Sequence, residues 1–131
     1  MDKLIVDLDS TITLGDSSDY ESVSPNSELI SKLREYKSSG FYICIFTARN
    51  MRTYDGNVGK INVNTLPIIL EWLKVHNVPY DEVIVGKPWC GHNGFYIDDK
   101  AIRPSEFASM SHEKIKNLLA IENSQDDGSN K

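Results

Sequence analysis

The chain has 131 residues, 40% of them apolar and 25% charged, with a formal net charge of −5 at neutral pH. That length suits one packed domain rather than two, and an acidic chain lacks the basic surface that nucleic acid or an anionic membrane calls for. No apolar run approaches the roughly 20 residues of a membrane span.

Met1-Asp2-Lys3 leads straight into a strand, without a signal peptide. The two cysteines, Cys44 in an apolar run and Cys90 in a polar one, suggest no disulfide framework. A reducing cytoplasmic setting is expected from both.

Residues 3–7, Lys-Leu-Ile-Val-Asp, form a short apolar run ending in a carboxylate, the pattern of a buried parallel strand. Mostly polar residues follow from Ser10 to Val23. Ser24-Pro25-Asn26-Ser27 resembles a helix start, with Ser24 as the cap and Pro25 in the first helical position. Leu29, Ile30, Leu33 and Tyr36 then recur at helical spacing, and Gly40 ends the helix. Phe41–Phe46 reads as a second buried strand, with Thr47 at its carboxyl end.

Residues 48–62 have no clear period and read as a long functional loop. A helix is expected from Asn64 to His76, with Leu66, Ile69, Leu70 and Leu73 on one face and Pro67 tolerated in the first turn. Asp81–Val85 is a third strand. Gly86 to Gly94 is a run of turn formers. Phe95-Tyr96-Ile97 is a fourth short strand, closed by Asp98-Asp99. A last amphipathic helix covers 112–122, and the polar residues 124–131 form a disordered tail. Strands alternating with helices predict one α/β domain over residues 1–123: a Rossmann-like, mostly parallel sheet flanked by helices.

Ligands of such sheets bind beyond the carboxyl ends of the strands. Three of the four expected strands end there in a polar group, namely Asp7, Thr47 and Asp98, and Lys87 follows the remaining one. Side chains two apart on an extended segment point the same way, so Asp7 and Asp9 can share a site. Asp98 and Asp99 would reach the same edge. Four carboxylates in one place require a compensating cation. An oxygen-rich site suits Mg²⁺, which takes one or two carboxylates, waters and a phosphate. Lys87 and the Thr47 hydroxyl could then hold phosphate oxygens.

Asp7-Leu8-Asp9-Ser10-Thr11 after Leu4-Ile5-Val6, Thr47 after Ile45-Phe46, Lys87, and Asp98-Asp99 after Tyr96-Ile97 resemble, in order, the four motifs of the haloacid dehalogenase (HAD) superfamily. The resemblance spans residues 4–99 and implies a phosphohydrolase. In it, Asp7 would attack phosphorus and form an aspartyl-phosphate. Asp9 would protonate the leaving oxygen and later deprotonate water. Mg²⁺ would be held by the Asp7 carboxylate, the Asp9 backbone carbonyl and Asp98, with Asp99 orienting a metal water or ligating directly. Thr47 and Lys87 would bind the phosphoryl group. Asp9 argues for a phosphatase over a dehalogenase, because a phosphoester leaving group needs a proton and a halide does not.

Residues 46–54 and 85–92 also resemble a subgroup of small HAD phosphatases of capsule or polysaccharide biosynthesis. That implies a sugar phosphate, or a polyol phosphate carried on a nucleotide. Arg49, Asn50 and Arg52, close behind Thr47, are candidate substrate contacts, as are Lys60 and His92. The two arginines could meet a second anionic group; the bland alternative for them is a solvated surface cation. Cys90 and His92 lack the further ligands of a zinc site.

Residues 10–46 and 48–86 must each hold a helix and a strand, which leaves no room for a folded cap domain. An open site is expected, covered by the 48–62 loop or by a neighbouring subunit of a homo-oligomer. Two rival functions are a phosphoacceptor signalling module and a catalytically silent binding protein. The first is disfavoured because its adjacent acidic pair should come at the first strand, whereas Asp98-Asp99 comes last.

Overall fold

The computed structural model describes residues 2–15 and 19–124. Of the expected tail only Ser124 is among them, as the last residue of a helix; residues 125–131 and, in the first polar loop, 16–18 lie outside the described residues. The chain groups into two compact units, Met1–Trp89 and Cys90–Lys131.

The first unit is α/β. Strands β1 (Lys3–Val6), β2 (Tyr42–Thr47) and β3 (Glu82–Val85) form a parallel sheet in that spatial order. Ile5 pairs with Cys44 and Thr47 with Val85. The central strand carries the core: Ile43, Cys44 and Ile45 are all buried. This is why Phe41–Phe46 reads as an unbroken apolar run rather than an alternating one. The outer strands are half-buried, with Ile5 and Ile84 largely exposed.

Helix α1 (Ser27–Ser38) buries Leu29, Ile30, Leu33 and Tyr36, the face that its spacing predicts. Each such aliphatic side chain contributes about 1.5–3 kcal/mol of transfer free energy. The cap is one correction. Asn26, not Ser24, precedes the helix, and its Oδ1 accepts from the Leu29 N–H at 3.3 Å. Pro25 is drawn instead into an isolated antiparallel bridge with Thr13. Asn and Ser are near-equal caps, so the bridge decides between them.

The expected loop 48–62 is a second correction. Its latter half is helix α2 (Val58–Asn64), capped by Asn57, whose Oδ1 accepts from the Lys60 N–H at 3.1 Å. Only Ile61 of that helix is buried, and Gly59, Asn62 and Asn64 are weak helix formers, so no period marks it. After Thr65, helix α3 (Leu66–Val75) buries Ile69, Trp72 and Leu73, while Leu70 faces outward. The Trp72 indole N–H donates to the Val23 carbonyl at 2.8 Å and ties α3 to the first polar loop.

The second unit holds α4 (Pro104–Ser109) and α5 (His112–Ser124). Its residues 95–97 are not a fourth strand; the sheet has three among the described residues. Phe95, Tyr96 and Ile97 are exposed. Three apolar residues fix a strand only when a ladder partner is present. Here the chain turns so tightly just before them that a Cβ on Gly94 would collide with the Cys90 carbonyl. Just after them, Asp98 accepts from the Lys100 N–H at 2.8 Å, an Asx turn.

Candidate active site

Asp7 and Asp9 leave the end of β1 on a turn built around one carbonyl. The Leu8 C=O accepts from the N–H groups of Thr11, Ile12 and Thr13 at 3.3, 2.9 and 3.0 Å. Leu8 itself is fully buried, so the carboxylates on either side of it are left toward the edge of the sheet. Ser10 takes the left-handed conformation (φ 59°), and its N–H donates to Thr13 Oγ1 at 2.9 Å.

The other two strands deliver the cations. Thr47, fully buried at the end of β2, accepts the Arg49 N–H on its hydroxyl at 3.0 Å and the Lys87 N–H on its carbonyl at 3.1 Å. Gly86, with φ 91°, turns the chain after β3 so that Lys87 Nζ reaches Asp7 Oδ1 at 3.6 Å. The Thr11 hydroxyl donates to Asp7 Oδ2 at 3.4 Å. Arg49 forks onto Asp9, with Nε–Oδ2 at 3.2 Å and Nη2–Oδ1 at 2.7 Å. Its guanidinium lies over the Tyr20 ring, 4.0 Å from the centroid.

Burial pushes the Asp7 carboxyl above the ordinary carboxylate range. Lys87 and the Leu8 N–H oppose that shift, and Asp9 adds to it by like charge. A partly desolvated carboxylate facing an ammonium is poised to act as an oxygen nucleophile.

No protein-family model matches the chain, and no curated protein matches it. Among solved structures, the crystal structure of a structural-genomics target from Vibrio cholerae is 66% identical, with a TM-score of 0.92. The match covers 93% of this chain and 99% of that one. This chain belongs to the same family as the Vibrio cholerae protein. The relative carries no named activity, so the likeness speaks for the shared fold and leaves the chemistry to the residues.

Within the first unit, then, the structure brings together Asp7, Asp9, Thr47, Arg49 and Lys87. Asn50, in a left-handed conformation (φ 63°), is committed to the scaffold: its amide donates to Thr53 Oγ1 at 3.2 Å and its Oδ1 accepts from the Thr65 hydroxyl at 2.7 Å. Arg52 is exposed in the turn before α2, and Lys60 is exposed in the first turn of α2. Asp98, Asp99 and His92 are exposed residues of the second unit.

No three His, Cys, Asp or Glu side chains gather as a metal-holding group among the described residues. The donor chemistry of the first unit suits a hard cation that keeps most of its waters. The Asp7 carboxylate and the Asp9 backbone carbonyl are oxygen donors of the kind that Mg²⁺ takes. The Asp9 carboxylate is occupied by Arg49.

Two contacts are not foreseen from the sequence. Thr11 closes the first motif and its spacing from Asp7 is one helical turn, a signal that was there to read. Tyr20 sits in an aperiodic loop, where nothing in the sequence marks it as the platform for Arg49.

Proposed function

We propose that this chain is a Mg²⁺-dependent phosphohydrolase of the HAD type, working through an aspartyl-phosphate on Asp7. The observation that supports it most is the Lys87–Asp7 pair at 3.6 Å. It places a cation from the end of β3 against the carboxylate that follows β1, with Asp9 beside it.

In this reading an Asp7 oxygen bonds to phosphorus as the phosphorus–oxygen ester bond breaks. The electron pair stays on the leaving oxygen, which takes a proton from Asp9. Water then attacks phosphorus and gives its proton to Asp9, and the Asp7 carboxylate is released with inorganic phosphate. The Lys87 ammonium balances the charge of the phosphoryl oxygens. Thr47 holds the two cation-bearing loops in place through its hydroxyl and carbonyl. Bound Mg²⁺ would supply further neutralisation of the phosphoryl oxygens, with the Asp7 carboxylate and the Asp9 carbonyl as its proposed holders in the first unit.

The likeness of residues 46–54 and 85–92 to the capsule and polysaccharide phosphatases supports a sugar phosphate or a nucleotide-linked polyol phosphate as substrate. Two free thiols, one buried and one half-buried, suit a reducing cytoplasm. No helix among the described residues is long and apolar enough to cross a membrane.

The test is phosphate release from a panel of sugar, polyol and nucleotide-linked phosphates, with Mg²⁺ and with chelator, for the native chain and Asp7→Asn. Metal-dependent turnover of one class, abolished in the variant, is the expected result. Folded protein that releases phosphate from nothing in the panel, or an Asp7→Asn variant as active as the native chain, would overturn the proposal.

A further inference from the structure

Arg49 follows Thr47 closely enough to suggest a ligand for a second anionic group on the substrate. Its surroundings assign it elsewhere. The side chain is 1% exposed, against 40% for the Asp9 side chain to which it is paired. Nε and Nη2 are both spent on Asp9. One face of the guanidinium is covered by Tyr20. The remaining nitrogen, Nη1, is buried with no hydrogen-bond partner among the described residues. A substrate arriving from solvent therefore meets Asp9 and not Arg49.

The fork is also held from behind. The Arg49 N–H is fixed on Thr47 Oγ1, and the next residue, Asn50, is pinned by Thr53 and Thr65. A half-exposed carboxylate on its own samples several rotamers. Two parallel N–H···O bonds from a planar, always-charged group hold it in one plane.

We infer that Arg49 is a positioning residue for Asp9: it sets the orientation in which Asp9 meets the leaving oxygen, and it is not a ligand for the substrate. The inference rests on the reading of Asp9 as the proton donor above. Positioning matters here because small displacements of a catalytic group cost on the order of 10²-fold in rate.

The leaving group distinguishes this role from others. An alkoxide needs a proton as it departs; p-nitrophenolate does not. The experiment compares kcat/KM for an alkyl phosphate and for p-nitrophenyl phosphate, in the native protein, Asp9→Asn, Arg49→Ala and Arg49→Lys. The lysine variant keeps the charge and most of the stem without the fork, so it serves if the alanine variant fails to fold.

Asp9→Asn is expected to lose about 10²–10⁴-fold on the alkyl ester, the span of general acid catalysis. Arg49→Lys is expected to lose about 10–10²-fold there, and both should lose only a few-fold on p-nitrophenyl phosphate. Guanidinium at millimolar concentration, but not methylammonium, should restore part of the loss in Arg49→Ala. Equal losses on both esters would show a scaffold role and overturn the inference. A raised KM confined to substrates with a second anionic group would overturn it in favour of substrate binding. If Asp9→Asn shows the leaving-group pattern and Arg49→Lys does not, the inference fails alone. If Asp9→Asn shows no such pattern, the reading of Asp9 fails with it.

Discussion

Replacing Gly86 by alanine tests how the backbone carries Lys87 to Asp7. Gly86 has φ 91°, and a Cβ there would lie 3.1 Å from Val58 Cγ2. The conformation costs an L residue about 1–2 kcal/mol. The contact adds little, because Val58 opens α2, is 42% exposed and can give way by a few tenths of an ångström. Loss of glycine's freedom in the unfolded chain offsets about 0.4–1 kcal/mol of the strain. The net destabilisation is about 1 kcal/mol, or roughly 4 °C in Tm for a chain of this size. The Lys87 N–H bond to the Thr47 carbonyl lies directly downstream, so phosphate release should fall as well. Gly40→Ala is the control: it carries similar strain (φ 101°) with nothing within 4 Å of the added Cβ and no functional residue beside it. Urea unfolding and phosphate release are measured for both variants. Similar stability losses with activity reduced only in Gly86→Ala are expected. Equal activities would refute the claim that this turn sets Lys87.

Asp81 accepts from Lys37 Nζ at 2.6 Å and from the Ile43 N–H at 2.8 Å, and these bonds hold its carboxyl below the usual range. A depressed carboxyl stabilises the fold above the unfolded pKa of about 3.9 and loses that effect as pH falls through the lower folded value. The gap in urea midpoint between native and Asp81→Asn should therefore be steady near neutrality and close below about pH 4; widening on acidification would contradict this. Trp72→Phe removes the indole donor from a buried carbonyl and should cost about 1–3 kcal/mol by thermal unfolding. Asn50→Gly should cost about 1 kcal/mol for its lost hydrogen bonds, and Asn50→Ala about 1 kcal/mol more for its left-handed backbone, a difference that chemical denaturation resolves.

The strands and the α1 face were legible because each is written in apolar spacing. Phe41–Phe46 is one residue out of register with the observed strand, and Leu29, Ile30, Leu33 and Tyr36 are the residues that are buried. The cap of α1 was not, because Ser24 and Asn26 are chemically alike and only the Thr13–Pro25 bridge, across a loop, separates them. Helix α2 was hidden by its composition: one buried isoleucine among Gly, Asn and exposed Val makes no stripe. Residues 95–97 show the opposite failure, three apolar residues whose spacing suggests a strand that no partner completes. At the candidate site, positions on the strand ends could be read, but pairings could not. That Arg49 turns to Asp9 and rests on Tyr20 depends on contacts between distant parts of the chain.

Those distances have a consequence for the newly made chain. Forty residues separate Arg49 from Asp9, and Lys87 comes later still. Synthesis runs from the N-terminus, so the two acids leave the ribosome well before either cation that neutralises them. Until β2 and β3 have both paired, Asp7 and Asp9 are ordinary solvated acids on an unfinished strand. The two ion pairs are therefore complete only once the last strand has joined, and a nick that frees β3 would part Lys87 from Asp7.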